Sequence, residues 1–197
     1  KVFVWTSSAN ISNVRFYEDK NSAVEINDRT LAYIFIKEID EMWGSYSNYP
    51  DTTLSKFGSR KVDNIPHLVN LNGVYAEVYF GPSDSIQKQI KKFFNNSNSS
   101  LAFGTYDFNS QGIYDALYQL RLNRNIKGIF DKSKLNVSFF NSMKSWADVW
   151  NDSTEGRLHH KYIISDPTGN YSTSTVLMGS SDWTNESNLY NDENILI

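Results

Sequence analysis

Between Val74 and Phe130, apolar runs of strand length alternate with stretches whose apolar residues recur at helical spacing, and this order constrains the fold more than any other feature. Val74 to Phe80 reads as a strand. The cap Ser83 to Ser85 then opens a helix carrying Ile86, Ile90 and Phe93 or Phe94 on one side, and Ser100 to Phe108 is the next strand. A helix from Gln111 to Leu122, with the stripe Ile113, Leu117 and Leu120, leads to a strand from Ile126 to Phe130. Strand, helix, strand, helix, strand predicts an α/β fold: a mixed, largely parallel sheet flanked by helices, with a site at the strand ends.

Upstream, Val2 to Trp5 and Ala23 to Ile26 read as strands. Asn27-Asp28 caps a helix to about Trp43, whose buried stripe is expected to be Leu31, Phe35, Ile39 and Met42. A segment rich in Gly, Ser, Tyr, Asn and Pro follows from Gly44 to Pro66 and reads as a connection. With 197 residues, 40% of them hydrophobic, the chain can bury a sizeable core. No apolar run approaches the ~20 residues of a membrane span. The lack of cysteine excludes disulfides, thiol catalysis and thiolate metal sites.

The chemistry concentrates near the end of the chain. Leu158-His159-His160-Lys161-Tyr162-Ile163-Ile164-Ser165-Asp166 puts two of the three histidines and a lysine on an otherwise apolar strand, and Val176-Leu177-Met178-Gly179-Ser180-Ser181-Asp182-Trp183 adds a glycine-serine turn. Strand alternation puts His159 and Lys161 on one face, His160 and Tyr162 on the other. A neutral imidazole is a competent nucleophile near pH 7, and phosphoryl transfer wants positioning and charge neutralisation, which a lysine and hydroxyl donors supply.

His159-x-Lys161-x4-Asp166 followed by Gly179-Ser180 resembles the HKD motif of the phospholipase D superfamily of phosphodiesterases. The resemblance implies that His159 attacks phosphorus to give a phosphohistidine, that Lys161 and Ser180 hold phosphate oxygens, that Glu193 orients the imidazole, and that Asp166 and Gly179 are structural. Asp182 stands at the phosphate-binding position where the family has asparagine. No cofactor and no metal are expected, since the three histidines make a poor zinc site and the sequence shows no paired-carboxylate cluster with metal spacing.

The segment Val4 to Asn13 aligns without gaps on Val176 to Asn185, 172 positions apart. Ser8 and Asn10 then match the family's serine and asparagine as phosphate ligands. Asn21 falls where Glu193 falls, unless a short gap brings Asp19 or Glu25 there. The chain is therefore expected to hold the end of a first phospholipase D-like repeat (1–43), a linker (44–73) and a second repeat (74–197). No His-x-Lys precedes Ser8, so a first repeat with the second histidine, the acid for the leaving group, is expected from upstream or from a partner chain. The loop Asp166 to Ser172 reads as exposed and mobile.

The expected activity is metal-independent hydrolysis of a phosphodiester, a phospholipid ahead of nucleic acid, with a catalytically inactive phosphate-binding module as the third reading. The net charge of −3 gives no evident basic groove, since Lys88, Lys91 and Lys92, with Arg121, Arg124 and Lys127, read as solvated faces. Many Asn, Ser and Tyr residues with few charges fit a secreted bacterial protein. His67 and His160 read as structural, Trp43, Trp146 and Trp150 as core, and Trp183 as lining the pocket mouth.

Overall fold

A computed structural model describes residues 1–168 and 174–197, so the loop expected from Asp166 to Ser172 lies partly outside the described residues. Strands β1 (Val4–Ser7) and β2 (Ala23–Ile26) pair antiparallel, with the short helix α1 (Asn13–Glu18) between them; Ser12 caps it by accepting from the Arg15 N–H. Helix α2 (Arg29–Trp43) starts where Asp28 accepts from the Leu31 N–H and stops at Gly44, whose φ of 76° suits glycine. A Cβ there would lie 2.4 Å from the Ser55 nitrogen. Of the expected stripe, Leu31 is buried, Phe35 and Met42 are half-buried and Ile39 is exposed, while Ala32, Ile34 and Glu38 are buried instead. Glu38 turns inward to meet the buried Lys61 at 2.5 Å, and Asp192 completes the cluster at 3.1 Å. Apolar periodicity cannot foresee a buried charge pair.

A single 3-10 turn (Gly58–Arg60) precedes the hairpin of β3 (Leu68–Leu71) and β4 (Val74–Phe80), so the last part of the expected connection joins the sheet. The chain continues through α3 (Ile86–Asn96), β5 (Ser100–Thr105), α4 (Gln111–Leu120), β6 (Asn125–Phe130), α5 (Val137–Met143) and β7 (Asp148–Asn151). It ends with β8 (Lys161–Ser165), β9 (Thr175–Gly179), α6 (Asn185–Leu189) and β10 (Asn194–Leu196). Eight strands form one mixed sheet in the order β3-β4-β10-β9-β8-β5-β6-β7. Its helix-flanked α/β character is as expected, but the directions are not largely parallel. Only β5–β6 and β6–β7 run parallel. The other five pairings are antiparallel, because β8, β9 and β10 return beside one another without long crossovers.

Alternation along β4 shows how the sheet separates two cores. Ala76, Val78 and Phe80 face Leu31 and Ile34 of α2 together with Val4 of β1, while Tyr79 joins the opposite cluster. That larger cluster packs Ile86, Ile90 and Phe94 of α3, Ile113 and Leu117 of α4, and Met143 of α5 against Phe103, Ile163 and Leu177. No helix among the described residues is long and apolar enough to cross a membrane.

The sequence repeat is also a structural one. Ser7 pairs with Ala23 and Thr6 with Val24; Gly179 pairs with Ile195 and Met178 with Leu196, each residue 172 positions from its counterpart. Helices α1 and α6 start at equivalent positions, behind the equivalent caps Ser12 and Thr184. Gly179 is required by this geometry: an added Cβ would sit 2.1 Å from the Asn194 carbonyl oxygen.

Candidate active site

His159 and Lys161 stand at the C-terminal end of β5, where Lys161 pairs with Thr105. The backbone around His159 is fixed from two sides. The Leu158 N–H donates to Asp131 Oδ2 at 2.7 Å, and the His159 N–H donates to the Lys20 carbonyl at 3.0 Å. Lys20 in turn donates to the Arg157 carbonyl, so the loop before β2 runs alongside residues 157–159.

This places Asn21 against the imidazole. Its Nδ2 donates to the carbonyls of Asp19 and Arg15 at 3.1 and 3.3 Å, which leaves Oδ1 facing His159 Nδ1 at 3.1 Å. An amide oxygen only accepts, so Nδ1 carries the proton and the lone pair is on Nε2. Ser8 Oγ donates to the same Asn21 oxygen at 3.2 Å. Lys161 Nζ lies over the edge of the ring, 3.1 Å from Nε2 and 3.3 Å from Nδ1, and 3.4 Å from Asp182 Oδ1. Tyr106 lies tilted beside the imidazole, centroids 4.6 Å apart, with its ring facing both Lys161 and Arg157. Arg157 is held by Asp19 and donates to the Tyr106 hydroxyl at 3.0 Å.

Burial sets the charge states. It holds the imidazole down to about 4, helped by Lys161 and Arg157, against the pull of Asp19 and a hydrogen bond to the Ser8 backbone. Burial also lowers Lys161, against Asp182 and Glu193. Asp182 is pushed up to about 6 by burial, with Glu193 and Asp107 adding to the effect and Lys161 opposing it. Asp19 is lowered, chiefly by its hydrogen bond to Arg157. His159 is 5% and Lys161 3% exposed, whereas the Asp182 side chain is 22% exposed and forms the accessible edge.

Several sequence expectations need correction. Glu193 does not orient His159: it accepts from Ser180 Oγ at 2.5 Å and from Asn191 at 3.2 Å, while Asn21, its counterpart in the repeat, meets the ring. The two copies face each other, and Asn21 addresses the opposite copy while Glu193 stays engaged within its own. No gap is needed, since Asp19 is committed to Arg157 and Glu25 lies exposed on β2. Ser180 Oγ, expected on phosphate, is engaged by Glu193 and by the Asn194 N–H. Ser8 reaches the site; Asn10 is exposed and outside it.

Trp183 does not line the mouth. It is 1% exposed and packs against Phe94, Phe103 and Phe108, because its bridge to Phe108 directs the ring into the core and the preceding Asp182 toward Lys161. Trp43 and Trp150 are exposed, the latter on edge strand β7. Asp166 accepts the N–H groups of Asn98, Ser99 and Ser100, tying the end of β8 to the start of β5. His160 packs edge-on against Tyr162. One group with metal-ligand spacing exists among the described residues, Asp63, His67 and Asp84, but both His67 nitrogens are engaged, Nε2 near Asp63 and Nδ1 on the Val78 carbonyl. Sequence reading missed Tyr106 and Arg157, which carry no motif, and saw Asn21 only as a lost acid.

A helix-flanked mixed sheet that presents a tautomerically fixed histidine and a lysine beside a glycine-serine turn is a phospholipase D-like domain. Residues 90–197 match the family described as cardiolipin synthase, PLD-like domain, and the chain belongs to that family within the phospholipase D superfamily. It resembles the phospholipase D family member Nuc from Salmonella typhimurium at 22% identity and a TM-score of 0.54, covering 61% of this chain and 80% of that one. It also resembles the phosphatidylserine synthase of Haemophilus influenzae, at 16% identity and a TM-score of 0.69 over 98% of this chain. This chain spans about half of that synthase, 55%. The polyphosphate kinase of Porphyromonas gingivalis matches at 10% identity, with a TM-score of 0.62 and 28% of its length covered. None of the curated proteins matches.

Proposed function

We propose that the chain is a phosphodiester hydrolase working through a phosphohistidine on His159, with phospholipids as substrates. The observation that carries this is the imidazole fixed Nδ1-protonated by Asn21, its Nε2 beside a buried ammonium. In the resting state the Lys161 ammonium lies against the imidazole, 3.1 Å from Nε2 and 3.3 Å from Nδ1. A phosphate oxygen competes for that donor, frees the lone pair and is itself neutralised. His159 Nε2 attacks phosphorus, and water later hydrolyses the N–P bond.

The lipid reading is supported by the apolar surface of the β1–α1–β2 unit, which also supplies Asn21. Trp5, Ile11, Val14, Phe16 and Tyr17 are all exposed there, and the net charge is −3. The facing of two repeat copies supports the reading that further first-repeat residues come from upstream or from a partner chain, which the mass of the intact gene product tests.

Phosphatidylcholine vesicles and single-stranded DNA assayed side by side test the substrate. Faster turnover of DNA with a steep salt dependence would make it a nuclease. His159→Asn is expected to abolish turnover. The departures at Asp182 and Asn21 favour the inactive-module reading, and recovery of phosphorylated His159 after quenching excludes it.

A further inference from the structure

Breaking a P–O bond to an alkoxide requires an acid for the leaving oxygen, and the expectation of a second histidine states a need for an acid rather than for an imidazole. Asp182 meets that need within the chain. The Lys161 ammonium lies 3.1 Å from His159 Nε2, 3.3 Å from its Nδ1 and 3.4 Å from Asp182 Oδ1, so a phosphoryl group seated on that ammonium has both the imidazole and a carboxyl within reach. Asp182 Oδ1 is shut off from bulk solvent and has no aligned hydrogen bond that would hold its lone pairs elsewhere, while the rest of the side chain reaches the accessible edge. The backbone beside the carboxyl is held in place. Trp183 is locked in the core, its N–H donating to the Asp107 carbonyl at 3.0 Å and its carbonyl accepting from Ser110 at 2.9 Å. An asparagine here, as in the family motif, can hold a phosphate oxygen but cannot give up a proton.

We propose that Asp182 is the general acid that protonates the leaving oxygen and the base that then activates water, an inference that rests on the phosphohistidine reading above. In the first step the Nε2 lone pair forms the N–P bond. The P–O bond breaks with its electron pair on the departing oxygen, which takes the Asp182 proton, and the new carboxylate is held by Lys161. In the second step the carboxylate takes a proton from water, the water oxygen bonds to phosphorus, and the P–N electron pair returns to Nε2. The imidazole keeps its Nδ1 proton on Asn21 throughout.

The charges around both groups agree with these roles. Asp182 faces Lys161 on β8, Glu193 ahead of β10 and Asp107 after β5, and its environment raises it to about 6. His159 faces Lys161, Arg157 and Asp19 and is held down to about 4. Between those values the nucleophile is unprotonated and the acid protonated. The kcat/KM for a substrate with an alkoxide leaving group therefore rises through about pH 4 and falls through about pH 6.

The test compares dihexanoyl phosphatidylcholine, whose choline leaves as an alkoxide, with bis(p-nitrophenyl) phosphate, whose leaving group needs no proton, using the full chain. In the unaltered protein the fall near pH 6 is expected with the first substrate and not with the second. Asp182→Asn is expected to lower kcat/KM on the first by ~10²-fold or more, to remove that fall, and to cost the second less than ~10-fold. A fall shared by both substrates in the unaltered protein, or an equal loss on both in the variant, would overturn the role of Asp182. Absence of phosphorylated His159 in the unaltered protein would instead overturn the phosphohistidine reading, and the proposal with it.

Discussion

Position 21 sets which ring nitrogen of His159 carries the proton. A carboxylate on Nδ1 would stabilise the imidazolium, whereas the Asn21 amide fixes the tautomer without adding charge, leaving burial and two cations to keep the ring neutral. Asn21→Asp is expected to move the His159 titration midpoint upward from about 4 toward the ordinary histidine range, as followed by NMR of the ring carbons. An unchanged midpoint would mean that the contact does not govern the charge. His159 and Asp182 also oppose each other in stability. Folded His159, lowered from 6.5 to about 4, binds fewer protons than unfolded histidine in that window, so its contribution to stability rises with pH. Folded Asp182, raised from 3.8 to about 6, binds more, so its contribution falls with pH. The two nearly cancel from about pH 4 to 6. Relative to the unaltered protein, Asp182→Asn should gain stability with rising pH across that window, as measured by urea unfolding, and a flat difference would contradict these charge states.

Among the elements, the turn after β9 depends on one ring. Trp183 fills the space between α3, β5 and Phe108, and the turn that carries Asp182 hangs from it. Trp183→Ala is expected to cost about 3–5 kcal/mol in chemical denaturation; a loss under ~1 kcal/mol would show that the core closes around the gap. The wrong expectation for this residue is instructive. Its neighbours in sequence are polar turn residues, and only the bridge to Phe108 sends the ring inward. By contrast, α3 and α4 were legible because Ile86, Ile90 and Phe94, like Ile113 and Leu117, repeat at the helical spacing of one buried face.

At the scale of the whole molecule, the β1–α1–β2 unit is tied to the large sheet by polar contacts beside the site: Asp19 to Arg157, Lys20 to Asp152 at 2.7 Å, and Thr6 to Asn194 at 2.7 Å. Its outward face is apolar; no residue of α1 is buried. If that face meets lipid, Trp5→Ser with Phe16→Ser should weaken co-sedimentation with phosphatidylcholine vesicles and slow turnover on vesicles more than on short-chain monomeric substrate. Equal effects on both would place the lipid contact elsewhere.

The sequence by itself determined helix α2 and the alternating strands and helices from β4 to β6, the shared face of His159 and Lys161, and a repeat whose 172-residue offset carries through to the strand register. Periodicity encodes burial within an element, and a repeated pattern of burial folds the same way twice. Tertiary structure alone decided the sheet directions, the inward turn of Trp183, the engagement of Glu193 with Ser180, and the meeting of Asn21 with an imidazole 138 residues away. The first three depend on contacts between segments distant in sequence and the last on how the two copies face each other, and a side chain that reaches across to another segment leaves no periodic trace in its own.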